Sequence, residues 1–324
     1  MPTSSAPGKV YLFGEHAVVY GEPAVPCAIE RRARATVERR DDGRVTLDAP
    51  ALSFDGVTVE YGAGDPALSA EPDRVRRAVR YVDAALASAR EVAGDDRAGF
   101  DVTIESDLPI GAGLGSSAAV TVAALDAAAR ACDVELDRET LADRAYRVEY
   151  EAQDGRASRA DTFCAATGGA VRVEGDDCRA IEAPALPFVV GYDGGSGDTG
   201  ELVADVRALA DDYGFVGDTI AAIGDLVRRG EAVLADGDLD ELGRLMDVNH
   251  GLLAALGVSG RSLDDMVWTA REAGASGAKL TGAGGAGCVV ALDPTDGTEQ
   301  ALGHAPACEM AFRAGLAETG LKRR

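Results

Sequence analysis

Apolar and polar residues alternate along several short segments of the first third of the chain, as they do in strands with one buried face. Polar turns such as residues 41–43 (DDG) separate these segments. The predicted strands are residues 10–13, 24–29, 33–38, 45–47, 57–61 and 100–106. This arrangement predicts a sheet that is mainly antiparallel.

Other segments repeat apolar residues every three to four positions, which predicts helices packed against a core. These helices are residues 72–92, 120–131, 139–153, 202–211, 216–236, 239–256, 262–273 and 297–303. Further strands are predicted at 168–174, 187–192 and 308–314, and on both sides of the glycines within 278–292. Beyond the glycine-rich residues 193–200 the pattern becomes mainly helical, which predicts two domains, 1–190 and 191–324.

A glycine-rich segment joins the strand at 100–106 to the helix at 120–131. Its residues are Gly111, Ala112, Gly113, Leu114, Gly115, Ser116 and Ser117. Alternating glycines permit positive φ angles and a close approach of backbone to ligand. The two serines stand where helix N–H groups lack partners, and such a terminus attracts phosphate. A tight turn with a serine cap is the structural alternative.

The spacing of this segment matches neither GxxxxGK[ST] nor the dinucleotide-binding fingerprint. If the segment holds a nucleotide, the positive charge must therefore come from elsewhere in the chain. The chain has 55 acidic and 32 basic residues, a net charge of −23, and lysine only at Lys9, Lys279 and Lys322. Such acidity argues against nucleic acid and anionic membranes as partners and indicates a solvated acidic surface.

The six cysteines are scattered without a CxxC pair, which predicts reduced thiols and leaves little for a zinc site. The sequence has no apolar run of membrane-spanning length and no secretory leader pattern, so we expect a cytoplasmic protein.

Two polar segments carry candidate catalytic residues. Lys9 follows a Pro-Gly pair, with Glu15 and His16 close behind, and lysine offers a compact charge that arginine does not. Asp161 lies in a polar loop, residues 155–162 (GRASRADT), that enters an apolar run. The alternatives are a surface lysine, a structural histidine and an aspartate that caps a helix.

Four glycines interrupt residues 278–292, which begin AKLTGAGGAGC. A hairpin with a loose loop is one interpretation. A loop that lays its backbone against a ligand is the other.

Three glycine-punctuated segments in this order, PGKVYLFGEH, PIGAGLGSSAA and KLTGAGGAGC, resemble the three motifs of the GHMP kinase superfamily. The resemblance extends from Ala6 to about Ala314. Residues 14–21 (GEHAVVYG) and 249–259 (NHGLLAALGVS) most resemble the mevalonate kinase branch, and the GRASRADT loop resembles its archaeal form. The resemblance implies an α+β fold: an N-terminal domain like domain 2 of ribosomal protein S5 and a C-terminal ferredoxin-like domain, with the site in the cleft.

The same resemblance implies transfer of phosphate from ATP, with Mg²⁺, to the C5 hydroxyl of mevalonate. Lys9 and Asp161 would be catalytic, with Asp161 either a general base or an orienting group beside a hydroxyl that Lys9 acidifies. Residues 111–117 would wrap the ATP phosphates. The acceptor would contact Glu15, His16, Lys9, Asp161, Thr281, Gly282 and Ala283, and residues 282–287 would shape the pocket beside the reacting phosphate.

Ser117 and Glu149 would hold Mg²⁺ by this resemblance. Ser116 is the alternative to Ser117, and Glu151 is the alternative to Glu149 because the following loop carries an extra residue. Ala157 and Arg159 replace the proline and glycine of the common PSGxD form, which leaves the loop's shape open.

The competing functions are a kinase of the same superfamily acting on phosphomevalonate or mevalonate 3-phosphate, and a non-catalytic sensor with this fold. Intact Lys9, Glu149 and Asp161 argue against the sensor. A homodimer is a candidate assembly, and the acidic, lysine-poor composition would suit a salt-loving archaeon.

Overall fold

The computed structural model describes residues 1–49, 58–61, 73–109, 111–153 and 157–324, with backbone alone at 58–61 and 73–78. Predictions that involve Val57, Pro72, Ile110 and residues 154–156 lie outside the described residues.

Twelve strands form within these described ranges and assemble into two sheets. They are β1 (Thr3–Phe13), β2 (Val25–Arg40), β3 (Val45–Asp48), β4 (Thr58–Tyr61), β5 (Gly99–Ser106), β6 (Ala170–Glu174), β7 (Asp177–Ile181), β8 (Pro187–Tyr192), β9 (Gly277–Thr281), β10 (Cys288–Leu292), β11 (Met310–Gly315) and β12 (Lys322–Arg323). The first sheet has the order β12-β1-β2-β5-β3-β4, with β6 paired to β2 and β7 to β6, and the second has the order β11-β8-β10-β9. Strands β3 and β5 are parallel, whereas the other pairs are antiparallel, as predicted.

Nine α-helices lie in the part of the chain that the structure describes. They are α1 (Asp73–Ala93), α2 (Ser116–Ala131), α3 (Arg138–Ala152), α4 (Arg159–Thr167), α5 (Thr199–Asp212), α6 (Phe215–Asp236), α7 (Leu239–Ala255), α8 (Arg261–Glu272) and α9 (Gly297–His304). Among the helices described, none combines the length and apolarity that crossing a bilayer requires.

Helix α2 forms the centre of the first half of the molecule. Its alanine-rich sequence is buried along most of its length between strands β1 and β2 and helices α1 and α3. Buried Asp126 accepts hydrogen bonds from Ser4 Oγ at 2.6 Å and from Arg323 Nη2 at 2.7 Å, so β12 is also tied to this helix. The N-terminus of α2 therefore has a fixed position in the fold.

The predicted break between strands 24–29 and 33–38 is wrong, because both belong to β2. Polar residues cross this point without ending the strand since Arg32 donates to the Ser5 carbonyl at 2.7 Å and to the Gly320 carbonyl. Strand β1 likewise begins well before the predicted residue 10, and a bulge after Pro7 absorbs the Pro-Gly pair.

The short strands β7 and β12 were not predicted, since β7 is mostly exposed and β12 consists of two charged residues. The remaining predicted helices and strands are confirmed to within a few residues at each end. Strand β8 crosses residue 190, where the first predicted domain ends, and it belongs to the second sheet. The domain limits 1–190 and 191–324 stay a prediction.

Candidate active site

Strand β1 places Lys9 and Tyr11 on one face, because alternate residues of a strand point to the same side. Val10 between them is fully buried in the core. The ammonium of Lys9 donates to the Gly113 carbonyl at 3.0 Å and lies 3.5 Å from Asp161 Oδ2. Two residues that are 152 positions apart in the sequence thus meet, as the motifs predicted.

Helix α4 presents Asp161 from its first turn. The cap of this helix is Ser158, whose hydroxyl accepts from the Ala160 N–H at 3.2 Å. The alternative in which Asp161 caps a helix is therefore wrong. Its carboxylate instead faces Lys9 and the hydroxyl of Tyr11, whose oxygen lies 3.4 Å from Asp161 Oδ1.

The glycine loop before α2 has the backbone that its sequence predicts. Gly111, Gly113 and Gly115 have φ angles of +75°, +79° and +68°, in the left-handed region that favours glycine. Helix α2 begins at Ser116, and none of the described side chains caps it. Its first N–H groups and its dipole thus face the loop, an arrangement that attracts phosphate.

The same loop packs tightly against the side chain of Lys9. A Cβ atom added to Gly115 would lie 3.1 Å from Lys9 Cγ. The aliphatic part of Lys9 therefore crosses the loop and brings its ammonium to the helix terminus. This lysine supplies the positive charge that the loop itself lacks.

Glu149 projects from α3 and is almost fully buried, whereas Glu151 is exposed. Burial raises the pKa of Glu149 to about 8, while a hydrogen bond with Ser117 acts against this rise, Asp161 adds to it and Lys9 opposes it. Glu149 Oε1 has no hydrogen-bond partner among the described residues. Of the two candidate metal ligands, Glu149 is the one beside Ser117.

A carboxylate oxygen without a partner next to a serine hydroxyl fits Mg²⁺, which takes oxygen ligands. The described residues contain no cluster of three or more His, Cys, Asp or Glu side chains able to hold a metal. Mg²⁺ is often bound by one or two protein oxygens together with substrate phosphates, and Ser117 and Glu149 fit that mode.

The glycine segment between β9 and β10 packs against the loop before α2. A Cβ on Gly282 would lie 3.3 Å from the Gly113 carbonyl oxygen, and one on Gly287 would lie 3.3 Å from that of Ala112. The predicted hairpin is present, since β9 and β10 are antiparallel neighbours. Backbone contact between two glycine loops closes one side of the site.

Glu15 and Lys279 form a buried ion pair between the end of β1 and strand β9. Burial raises the pKa of Glu15 and lowers the pKa of Lys279, and each group opposes the shift of the other. Lys279 also donates to the Leu280 carbonyl at 2.6 Å. Lysine is scarce in this chain, but no sequence motif indicates a partner for Lys279.

His16 lies beside Glu15 and has a φ angle of +59°, which is uncommon for a residue with a side chain. Its Nε2 donates to the Ala283 carbonyl at 2.7 Å. Burial lowers the pKa of His16, so the ring is neutral and Nδ1 is an acceptor. The Gly14 N–H, nearby on the chain, donates to Asn249 Oδ1 at 3.2 Å.

Three buried polar atoms in this region have no hydrogen-bond partner within the described ranges. They are Glu15 Oε2, His16 Nδ1 and Asn249 Nδ2. An unpaired buried polar atom is costly, so such a group indicates a place where a polar ligand completes the bonding.

The chain is similar to known protein families, to individual proteins and to solved structures. The family described as GHMP kinases N terminal domain matches residues 74–169, and the family described as GHMP kinases C terminal matches residues 222–310. A mevalonate kinase of Thermococcus onnurineus is 41% identical over 305 residues, covering 92% of this chain and 91% of that protein.

Two solved structures have a similar fold along the whole chain. The mevalonate kinase of Methanococcus jannaschii has a TM-score of 0.83 and 25% identity, covering 97% of this chain and 98% of that one. The L. major mevalonate kinase in complex with R-mevalonate has a TM-score of 0.80 and 25% identity, covering 96% of this chain and 94% of that one.

Proposed function

The chain belongs to the GHMP kinase family, and we propose that it transfers the γ-phosphoryl group of ATP to the primary (C5) hydroxyl of mevalonate. The products are ADP and 5-phosphomevalonate. One observation carries the proposal: Lys9, Asp161 and the N-terminus of α2 converge from separate elements. The names of its archaeal relatives support mevalonate as the acceptor.

ATP binds with its phosphates in the loop of residues 111–117. The N–H groups at the start of α2 donate to phosphate oxygens, and positive φ angles at the glycines let the backbone approach them. Lys9 adds a positive charge at this end of the helix. Together these groups provide the electrostatic stabilisation on which phosphoryl transfer depends.

Ser117 and Glu149 hold Mg²⁺, which neutralises phosphate charge when bound. Glu149 Oε1 supports this assignment, because it is buried and lacks a partner in the described part of the chain. A buried carboxylate such as Glu149 tends to be protonated, because burial raises its pKa. A cation bound beside it would favour the charged form.

Mevalonate binds at the opposite end of the site, against Glu15, His16, Thr281, Gly282 and Ala283. The two lysines named in the site are already paired, Lys9 with Asp161 and Lys279 with Glu15. A phosphorylated acceptor would bring additional negative charge to these pairs. The charges therefore favour mevalonate over its phosphates.

Asp161 lies beside the acceptor hydroxyl and accepts its proton, or orients it while Lys9 lowers the hydroxyl pKa. Both roles use the Lys9–Asp161 contact of 3.5 Å. Phosphoryl transfer needs positioning and charge neutralisation more than covalent participation by the protein, and this pair supplies both.

The division into domains 1–190 and 191–324 belongs to the same proposal, with the site between them. Contacts that join the two parts support it. The Tyr11 N–H donates to Thr281 Oγ1 at 2.8 Å, and His16 contacts Ala283.

A coupled assay of ADP release tests this function. The protein is incubated with ATP and Mg²⁺ at low and high salt, with mevalonate, phosphomevalonate, mevalonate 3-phosphate, galactose or homoserine as separate acceptors. We expect ADP release that depends on mevalonate, with 5-phosphomevalonate identified by mass spectrometry. Turnover of a different acceptor alone, or mevalonate binding without ADP release, would contradict the proposal.

A further inference from the structure

Tyr11 lies between the two catalytic candidates, although no motif singled it out. We infer that Tyr11 is a positioning residue, whose hydroxyl and ring hold the Asp161 carboxylate and the Lys9 ammonium in the arrangement that phosphoryl transfer requires. The inference rests on the proposed function, and it assigns a role to a side chain that need not touch either substrate.

The carboxylate of Asp161 has a different partner at each oxygen. Lys9 Nζ lies 3.5 Å from Oδ2, and the Tyr11 hydroxyl lies 3.4 Å from Oδ1. A carboxylate with one partner can still rotate about its Cβ–Cγ bond. Two partners on opposite oxygens fix its plane, and with it the direction from which it meets a hydroxyl.

The ring of Tyr11 restrains Lys9 as well. Lys9 Nζ lies 4.5 Å from the ring centroid, within the range of a cation–π interaction. Lys9 is only 4% exposed, so little water screens this attraction. The ammonium is thus held by the ring, by Asp161 and by the Gly113 carbonyl.

The backbone of Tyr11 is fixed by both sheets. A bulge between Tyr11 and Phe13 interrupts the pairing of β1 with β2, and the Tyr11 N–H donates to Thr281 Oγ1. The side chain is 6% exposed and packs in a small cluster that includes Ala28, Ala160 and Cys164. Its hydroxyl therefore has a defined position relative to α4.

Burial raises the pKa of the Tyr11 hydroxyl well above its ordinary value, the Asp161 charge adds to this rise, and a hydrogen bond with Ser158 opposes it. The phenol is consequently neutral when the enzyme works. A neutral phenol donates a hydrogen bond to a carboxylate and does not compete with it as a base.

The variant Tyr11→Phe tests the inference, because it removes the hydroxyl and keeps the ring. We expect kcat for mevalonate to fall about tenfold, the size of one hydrogen bond to a charged group. KM for ATP and for mevalonate should stay within about twofold, since the hydroxyl orients the catalytic carboxylate and binds neither substrate. The thermal midpoint should match that of the parent protein.

Tyr213→Phe is the matched control. Tyr213 is exposed between α5 and α6, away from the site, so the same chemical change there should leave kcat unaltered. Turnover of mevalonate by the parent protein tests the proposed function, whereas the ratio of Tyr11→Phe to parent tests the role of Tyr11.

A Tyr11→Phe protein with parental kcat would overturn the inference. So would a decrease in kcat accompanied by an equal decrease with Tyr213→Phe, or by a markedly lower thermal midpoint, because neither result would point to the bond between Tyr11 and Asp161. A decrease confined to KM would also overturn it, since the hydroxyl would then bind substrate.

Discussion

The three carboxylates of the site have different surroundings, and these separate their tasks. Asp161 is partly exposed and contacts Lys9. Glu149 is buried, and its Oε1 has no hydrogen-bond partner among the residues that the structure describes, whereas Glu15 is buried against Lys279. Environments that differ in this way assign different protonation behaviour to chemically similar groups. These surroundings fit the proposed roles of Asp161 at the acceptor and of Glu149 at the metal, and they tie Glu15, a proposed acceptor contact, to Lys279.

Asp161→Asn should lower kcat by about two to four orders of magnitude, because the amide keeps the size of the side chain and loses its charge and basicity. ATP affinity should change little, since the phosphate loop is a separate segment. Coupled kinetics measure the first quantity and fluorescence titration with ATP the second. Asp41→Asn is the control, because Asp41 is exposed in the turn after β2 and contacts Arg39 at 3.7 Å, away from α4. Near-normal turnover of Asp161→Asn would remove this residue from the mechanism.

Glu149→Gln should raise the Mg²⁺ concentration for half-maximal activity by about tenfold or more, because it removes a charged ligand. Glu151→Gln makes the same chemical change two residues away, on an exposed position, and should leave that concentration unchanged. A Mg²⁺ titration at saturating ATP distinguishes the two. A larger increase in this Mg²⁺ concentration for Glu151→Gln than for Glu149→Gln would identify Glu151 as the Mg²⁺ ligand.

The raised pKa of Glu149 also predicts how the metal-free protein responds to pH. Burial raises this pKa from 4.5 to about 8, so the folded state keeps a proton that the unfolded state loses between these values. The contribution of Glu149 to stability is therefore complete below pH 4.5 and is lost as pH rises towards 8.

Glu149→Gln has no such proton, so the thermal midpoint of the variant minus that of the parent should increase across this pH range. Differential scanning fluorimetry with a chelator, in buffers spanning these pH values, measures the difference. A constant difference would show that the buried carboxylate does not titrate with a raised pKa.

At the scale of the elements, the glycine loop between β9 and β10 depends on close backbone contact. Gly284 has a φ angle of +87°, and a Cβ there would lie 1.9 Å from the Val258 carbonyl oxygen. Gly257 has a similar φ of +79° with no atom within 4 Å of its Cβ position. This pair separates the effect of a clash from that of backbone strain.

Gly257→Ala should therefore lower the free energy of unfolding by about 1–2 kcal/mol, the cost of a left-handed residue. Gly284→Ala should lower the free energy of unfolding by more than Gly257→Ala does. It should also raise KM for ATP, because the clash displaces the loop beside the phosphate site. Urea unfolding and steady-state kinetics provide the two measurements. If Gly284→Ala and Gly257→Ala lost the same stability, the backbone at Val258 would be able to move away from the added Cβ without a loss of free energy.

Most elements could be predicted where the sequence period is long and regular, as in α6 and α8. The division of β2 into two strands was wrong for a physical reason. The polar residues at 30–32 resemble a turn, yet Arg32 is bonded to Gly320, which is 288 residues away. Local sequence does not contain the partner that makes a polar residue acceptable in a strand.

The site was predictable to the extent that motifs mark it. Lys9, Ser117 and Asp161 stand in glycine-punctuated or polar segments, and the fold brings them together. Tyr11 lies in an apolar strand, where a tyrosine is expected to be a core residue, so the sequence does not mark it as functional. Lys279 pairs with Glu15 across 264 residues, a contact that periodicity does not reveal.

For the whole molecule, the proposed acceptor end of the site lies where the two sheets meet. Glu15 follows β1 of the first sheet, and Lys279 belongs to β9 of the second. The hydrogen bonds from the Tyr11 N–H to Thr281 and from His16 to Ala283 cross the same junction. A change that loosens this junction should therefore affect stability and mevalonate binding together.

Lys279→Met should lower the free energy of unfolding by about 3–5 kcal/mol, because it leaves the Glu15 carboxylate buried without its cation. Lys322→Met makes the same substitution at an exposed lysine and should have little effect. The double variant Lys279→Met/Glu15→Gln contains no uncompensated charge, so it should recover much of the lost stability despite carrying one more substitution. Urea unfolding of the four proteins measures this. If the double variant were no more stable than Lys279→Met, the loss would come from packing around the lysine and not from the charge of Glu15.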